Sequence, residues 1–383
     1  MNNSYEFPKN WIWGVAAASA QIEGAAFEDG KGPSIWDAFP QKPGAVVNGD
    51  APAVACDHYH RYPDDAKFIR EVLGLRHYRL SIAWPRIYPN GTGEINAKGL
   101  DFYDRLIDEF LKNEITPWVT LFHWDLPQTL EEQNGWLNRQ TVDAFATYAE
   151  TVVKHLGDRV KHWFTLNEMP CFIGLGYESG IHAPGRRENK KLVNAGYHHA
   201  LLAHGHAVRI VREFGGPDAV VGLVHNPPTP LPVIETPEHI EAARRNYIEN
   251  NDQIMSPLFK GEYSQEWLAK AGGDAPEIQD GDMELISQPC DFLGLNLYAG
   301  YFQRDRNGQS ETLPFPKQFP QGDLPWINVT PQTLYWAIRF AHEVYGAQTF
   351  YITENGSAFD DKPNENGEIL DLDRRELLRN YLI

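Results

Sequence analysis

Two glutamates end short runs of apolar and β-branched residues: Glu168 in Thr165-Leu166-Asn167-Glu168, and Glu354 in Tyr351-Ile352-Thr353-Glu354-Asn355-Gly356. Each run reads as a buried strand, and a loop follows each. Barrel enzymes place their chemistry on residues at strand ends. A pair of carboxylates is the minimum apparatus for cleaving a glycosidic bond, one protonating the leaving oxygen and the other attacking the sugar. Either glutamate alone is only a hint of function, because an ion pair at a strand end explains it as well. The chain also carries 11 Trp and 17 Tyr, which a large core accounts for and which sugar binding would also use.

Positioning such a pair calls for a rigid frame. Strand candidates are Trp11–Ser19, His77–Trp84, Thr116–Trp124, His162–Met169, Ala219–Asn226, Asp291–Tyr298 and Thr349–Asn355. Between them run amphipathic stretches of helical period: Lys98–Lys112, Thr141–Leu156, Tyr197–Phe214 and Pro331–Val344. Repeated β-α order with near-continuous apolar strands predicts a parallel sheet covered by helices, an α/β fold of the (β/α)8 TIM-barrel kind. No glycine fingerprint follows the first strand, which argues against a doubly wound nucleotide fold. No linker or repeat divides the chain, so residues 1–383 read as a single catalytic domain. The count stops one strand short. An apolar stripe of Leu377, Leu378, Tyr381 and Leu382 runs to Ile383 with no C-cap, so the eighth β-α unit is expected to be missing.

The formal net charge of −18 argues against a nucleic-acid partner. Cys56, Cys171 and Cys290 are far apart and odd in number, which fits a reducing compartment without a disulfide framework. The first eight residues, Met1 to Pro8, show neither a basic region nor an apolar core of a signal peptide, and no stretch is long enough to span a bilayer. A cytoplasmic location without membrane attachment is the expectation. No His/Cys cluster has metal spacing and no phosphate loop is present, so neither a metal nor a cofactor is expected.

Seven motifs in order make the chain resemble the glycoside hydrolase family 1 β-glucosidases. They are Trp13-Gly14-Val15-Ala16-Ala17-Ala18-Ser19-Ala20-Gln21-Ile22-Glu23-Gly24-Ala25, Tyr78-Arg79-Leu80-Ser81-Ile82-Ala83-Trp84-Pro85-Arg86 and Leu121-Phe122-His123-Trp124-Asp125-Leu126-Pro127. The Thr165–Glu168 motif and His182-Ala183-Pro184-Gly185 follow. Asp291-Phe292-Leu293-Gly294-Leu295-Asn296-Leu297-Tyr298 and the Thr353–Gly356 motif complete the set. The resemblance implies a (β/α)8 barrel with Glu354 as nucleophile and Glu168 as general acid/base. It implies that Arg79 and Tyr298 support Glu354, that Asn296 belongs to the same group, and that Asn167 bonds the sugar 2-hydroxyl. Gln21 and His123 match ligands of the outer hydroxyls, Trp124 a neighbour of the sugar, and Trp326 an aglycone-side tryptophan. For His123, Asn296 and Trp326 the plain alternative is core packing, and for Asn167 a capping amide. Asn167 precedes the acid and should face the other side of the strand unless a bulge intervenes.

Two departures from the family pattern stand out. Met169 separates Glu168 from Pro170, where many members have proline directly after the acid. The missing C-terminal unit would in the family supply a Trp/Glu/Trp cluster for the 3-, 4- and 6-hydroxyls and, in some members, a sugar-phosphate site. Its absence would also expose the edges of the first and seventh strands, so homo-oligomerisation is among the associations the sequence allows. The leading expectation is a retaining β-glycosidase with a small β-glucoside or oligosaccharide substrate, glucosyl first and galactosyl or fucosyl as variants. Cellulose degradation is the process that such an activity would serve. The alternatives are an inactive or sugar-binding barrel fragment and a 6-phospho-β-glucosidase.

Overall fold

Strands covered on both faces read as near-continuous apolar runs, and the chain supplies seven runs rich in apolar and β-branched residues. The computed structural model describes residues 6–383, so part of the N-terminal segment read above lies outside the described residues. Among them the strands are β1 (Gly14–Ala16), β2 (His77–Ser81), β3 (Thr116–Phe122), β4 (His162–Asn167), β5 (Val220–His225), β6 (Pro230–Pro232), β7 (Phe292–Asn296), β8 (Tyr301–Arg306), β9 (Gln309–Thr312) and β10 (Phe350–Glu354). β1, β2, β3, β4, β5, β7 and β10 pair in that order, all parallel, with β1 and β10 at the two edges. These are the seven strands expected from the sequence, each shorter than its run, in a nearly closed barrel of the (β/α)8 kind.

The barrel floor is an aromatic layer. Trp118, Phe164, Val224 and Phe292 are buried there from four strands, with Tyr351 packed against them. Tyr351 meets Trp118 and Phe292 edge-on at 5.0 and 4.9 Å between ring centroids, a favourable geometry for aromatic quadrupoles. The main core fills the space between strands and outer helices, where Ala97–Lys112, Gln140–Leu156 and Lys190–Phe214 bury their apolar faces.

Two features escaped the sequence reading. The helix Pro237–Lys260 has Thr236 as N-cap, proline at its first position and Gly261 (φ 72°) after its last. Those are start and stop signals, but Asn246, Asn250, Asn251 and Asp252 dilute its apolar period. The small sheet β6-β8-β9 was also unread, although Asn307-Gly308 between β8 and β9, both at positive φ, is the standard signature of a tight hairpin.

Candidate active site

The C-terminal strand ends bring the candidate residues together. Arg79, from β2, is buried and lies with its guanidinium 5.0 Å above the Phe164 ring. It donates to Glu354 Oε1 at 2.6 Å, to Asn167 Oδ1 at 2.6 Å and to Thr120 Oγ1 at 3.1 Å. Tyr298 donates its hydroxyl to the other Glu354 oxygen, Oε2, at 2.6 Å. Glu354 therefore receives a charge-assisted bond on one oxygen and a phenolic bond on the other, both favouring the ionised form. Burial pushes its pKa up, but the Arg79 charge and these bonds prevail and hold the carboxyl below the usual range.

Glu168 has the opposite environment. It is 5% exposed. Burial and then the negative charge of Glu354 push its pKa up to about 7, against the opposing effect of the bond from Asn296 and of the neighbouring Cys171 thiol. Asn296, at the end of β7, donates to Glu168 Oε1 at 2.7 Å and to Asn167 Oδ1 at 3.1 Å, while Thr353 donates to its Oδ1 at 2.6 Å. Two carboxylates pushed apart in pKa, one held below and one above the usual range, can divide nucleophile and acid duties between them.

Asn167 and Glu168 face the same site, although they are consecutive. The pairing of β4 with β5 shifts register between Phe164 and Asn167, and Glu168 takes left-handed backbone (φ 56°). That irregularity overrides strict alternation, so Asn167 does not point away. The chain then turns through Met169 into the helical segment Pro170–Glu178, and Cys171 N–H closes on the Glu168 carbonyl at 2.9 Å. The displaced proline leaves Glu168 at the strand end.

His123 is buried, and burial lowers its pKa to about 3, so its imidazole is neutral. The oxygen of Asn167 already accepts from Arg79 and Asn296, so its NH2 faces His123 Nε2, 3.1 Å away. Nε2 must then accept and Nδ1 carries the proton. Trp124, half-buried, donates its indole N–H to the Asn167 carbonyl at 2.9 Å, with its ring near Trp36 and His182. Gln21 is exposed on the short helix Ser19–Ile22 after β1, and its side chain makes no hydrogen bond among the described residues. Trp326 is 56% exposed and meets Tyr298 edge-on at 5.6 Å, so it borders the site and is not a core residue.

The sequence reading missed Thr120, Thr353 and Cys171. Thr120 had a signal, being the inward polar residue of the apolar strand segment Trp118-Val119-Thr120-Leu121-Phe122. Thr353 sits inside a quoted motif, but its partner Asn296 is distant in sequence and nothing local reveals the contact.

A family model, Glycosyl hydrolase family 1, matches residues 3–383. The chain belongs to glycosyl hydrolase family 1. It is 42% identical over 379 residues to 1,4-beta-D-glucan glucohydrolase of Thermotoga neapolitana, which spans 98% of this chain and 88% of that one. With beta-glucosidase A of Acetivibrio thermocellus it shares 43% identity over 382 residues, 98% of this chain and 84% of the relative. Among solved structures, beta-glucosidase from Thermotoga maritima in complex with glucoimidazole superposes with a TM-score of 0.89 at 41% identity, covering 98% of this chain and 84% of that one. This family 1 chain is thus a glycoside hydrolase of the retaining β-glucosidase type, and the fold expected from its strands is the family's barrel. Neither the sugar-binding fragment nor the 6-phospho-β-glucosidase is favoured by these relatives.

Proposed function

We propose that the protein hydrolyses terminal β-D-glucosyl residues with Glu354 as nucleophile and Glu168 as general acid/base. The observation that carries this reading is the divergent pair of environments: Arg79 and Tyr298 on Glu354, burial and a neighbouring charge on Glu168. Glu354 attacks the anomeric carbon, a carboxylate–carbon bond forms, and the bond to the leaving oxygen breaks as Glu168 gives that oxygen its proton. Esterification removes the charge of Glu354. The pKa of Glu168 then falls, and its carboxylate takes a proton from the water that attacks the same carbon as the bond to Glu354 breaks, which frees the sugar and returns both glutamates to their starting states. Asn167 holds the 2-hydroxyl, Gln21 and His123 the outer hydroxyls, and Trp326 lines the aglycone side. Trp124 acts on the sugar through Asn167, whose carbonyl it holds.

Short β-glucan oligosaccharides, as cellulose degradation would supply, are the substrate class favoured, because one relative is named for 1,4-β-D-glucan. No helix among the described residues is long and apolar enough to cross a membrane. A cytoplasmic location is supported by three cysteines that are all free. The test is turnover of nitrophenyl β-glucoside followed by NMR of the freshly released sugar. The β anomer is expected first. Release of the α anomer, or turnover of only the 6-phosphorylated glucoside, would overturn the proposal.

Tyr298→Phe removes one of the two bonds that hold Glu354 ionised. The folded pKa of Glu354 should rise, and activity should be lost at a higher pH as acidity increases. The acid limb of kcat/KM is expected to move up by about one pH unit, with roughly a tenfold fall at the plateau. An unmoved acid limb would remove Tyr298 from this role.

A further inference from the structure

Beneath Gln21 and His123 lies a buried polar chain that the mechanism above does not use. Ser81, at the end of β2, accepts the backbone N–H of Ser19 on its hydroxyl at 2.7 Å and donates to the Ser19 hydroxyl at 3.0 Å. Ser19 in turn donates to Asp125 Oδ2 at 2.7 Å. All three side chains are at least 95% buried. The chain is directional: a peptide N–H starts it, each hydroxyl donates onward, and an accepting carboxyl oxygen of Asp125 ends it.

Ser19 and Asp125 each lie two residues from a proposed sugar contact. Ser19 opens the helix Ser19–Ile22 that carries Gln21, and no side chain of that helix's own N-cap, Ala18, can satisfy the first N–H groups. The Ser81 hydroxyl takes the first of them, the Ser19 N–H, instead. Asp125 follows His123 by two residues, across Trp124, which is in left-handed backbone (φ 76°). A non-glycine residue in that region is held there by its surroundings. The Ser19–Asp125 bond therefore joins the loop after β1 to the loop after β3, with Ser81 linking both to β2. Asp125 Oδ1 is buried without a partner among the described residues, and burial pushes this carboxyl's pKa up to about 7. A buried carboxylate with only one of its oxygens bonded is destabilising for the fold, so the link it makes needs a reason.

We propose that Asp125, acting through Ser19 and Ser81, is a positioning residue that sets Gln21 and His123 at the spacing required by the outer hydroxyls of the glycone. This rests on the reading that Gln21 and His123 contact those hydroxyls. Asp125 touches no substrate itself, and its effect is confined to substrates bearing the hydroxyls in question.

The test compares nitrophenyl β-glucoside with its 3,4-dideoxy analogue on the full chain. Asp125→Ala is expected to lose on the order of 10- to 100-fold in kcat/KM on the glucoside, mostly in KM, because small displacements of positioning groups cost that much. On the dideoxy analogue the loss should stay below about threefold. Asp125→Asn keeps an oxygen for Ser19 and should recover most of the loss. Ser19→Ala, which removes the middle link without touching the carboxylate, should reproduce the selective loss and carries the test if Asp125→Ala fails to fold. Equal losses on both glycosides, or full activity in Ser19→Ala, overturn the proposal. Gln21→Ala and His123→Ala are measured in parallel. If these two fail to discriminate between the glycosides, the reading of the sugar contacts is what falls, and this inference falls with it. If they discriminate while Asp125 and Ser19 variants do not, only the positioning role is wrong.

Discussion

Glu354→Ala should leave less than about one part in 10⁴ of wild-type turnover on every β-glucoside, whatever its leaving group. The size follows from the role proposed for the side chain in both half-reactions. Without the carboxylate no covalent intermediate forms, so neither a better leaving group nor the intact acid Glu168 can compensate. Arg79 and Tyr298 would then face a cavity with their donors unpaired. That site favours a small anion. Added azide or formate is expected to enter it, bond to the anomeric carbon from the face that Glu354 used, and displace an activated aryl leaving group. The product must be the α-configured glycosyl adduct, readable by NMR. A β-configured adduct would place the missing nucleophile elsewhere, and turnover within tenfold of wild type, in protein of verified mass, would remove Glu354 from the role.

The opposite pulls on the two glutamates trace back to features the sequence displays unequally. Strand ends were legible because apolar β-branched runs stop abruptly at polar residues, and all seven barrel strands followed from that contrast. Which charge would meet which carboxylate was not legible by pattern. Arg79 and Glu354 are 275 residues apart, and Asn296 and Glu168 are 128 apart. Only closure of the sheet brings them together, so motif resemblance had to stand in for geometry. Strict alternation failed at Asn167 because a register shift and one left-handed residue are set by tertiary pairing with β5. Asp125 was visible as a letter in a motif, yet its bond to Ser19 spans 106 residues and has no local signal. Trp326 shows the same limit from the surface side, since its exposure depends on the loop after β9 and not on its apolar neighbours.

Glu168→Ala should separate the two half-reactions. With dinitrophenyl β-glucoside the leaving group needs no proton, so glycosylation is expected to fall less than about tenfold. Deglycosylation loses its general base and should slow by on the order of 10²–10⁴-fold. The glycosyl-enzyme then accumulates, giving a burst of dinitrophenol, a low kcat and a lowered KM. With cellobiose the first step also needs the acid, and kcat/KM should fall by on the order of 10²–10⁴-fold. The pH profile gives a second readout. As the proposed acid, Glu168 must be protonated for the first step in the wild type, and its pKa is raised to about 7 by burial and the Glu354 charge. Activity should therefore be present below that value and decline as pH rises through it. In Glu168→Ala the alkaline limb on dinitrophenyl glucoside should vanish while the acid limb, set by Glu354, stays. Equal losses across all leaving groups would show that the residue serves structure more than proton transfer. Survival of the alkaline limb would assign that titration to another group and leave the acid unidentified.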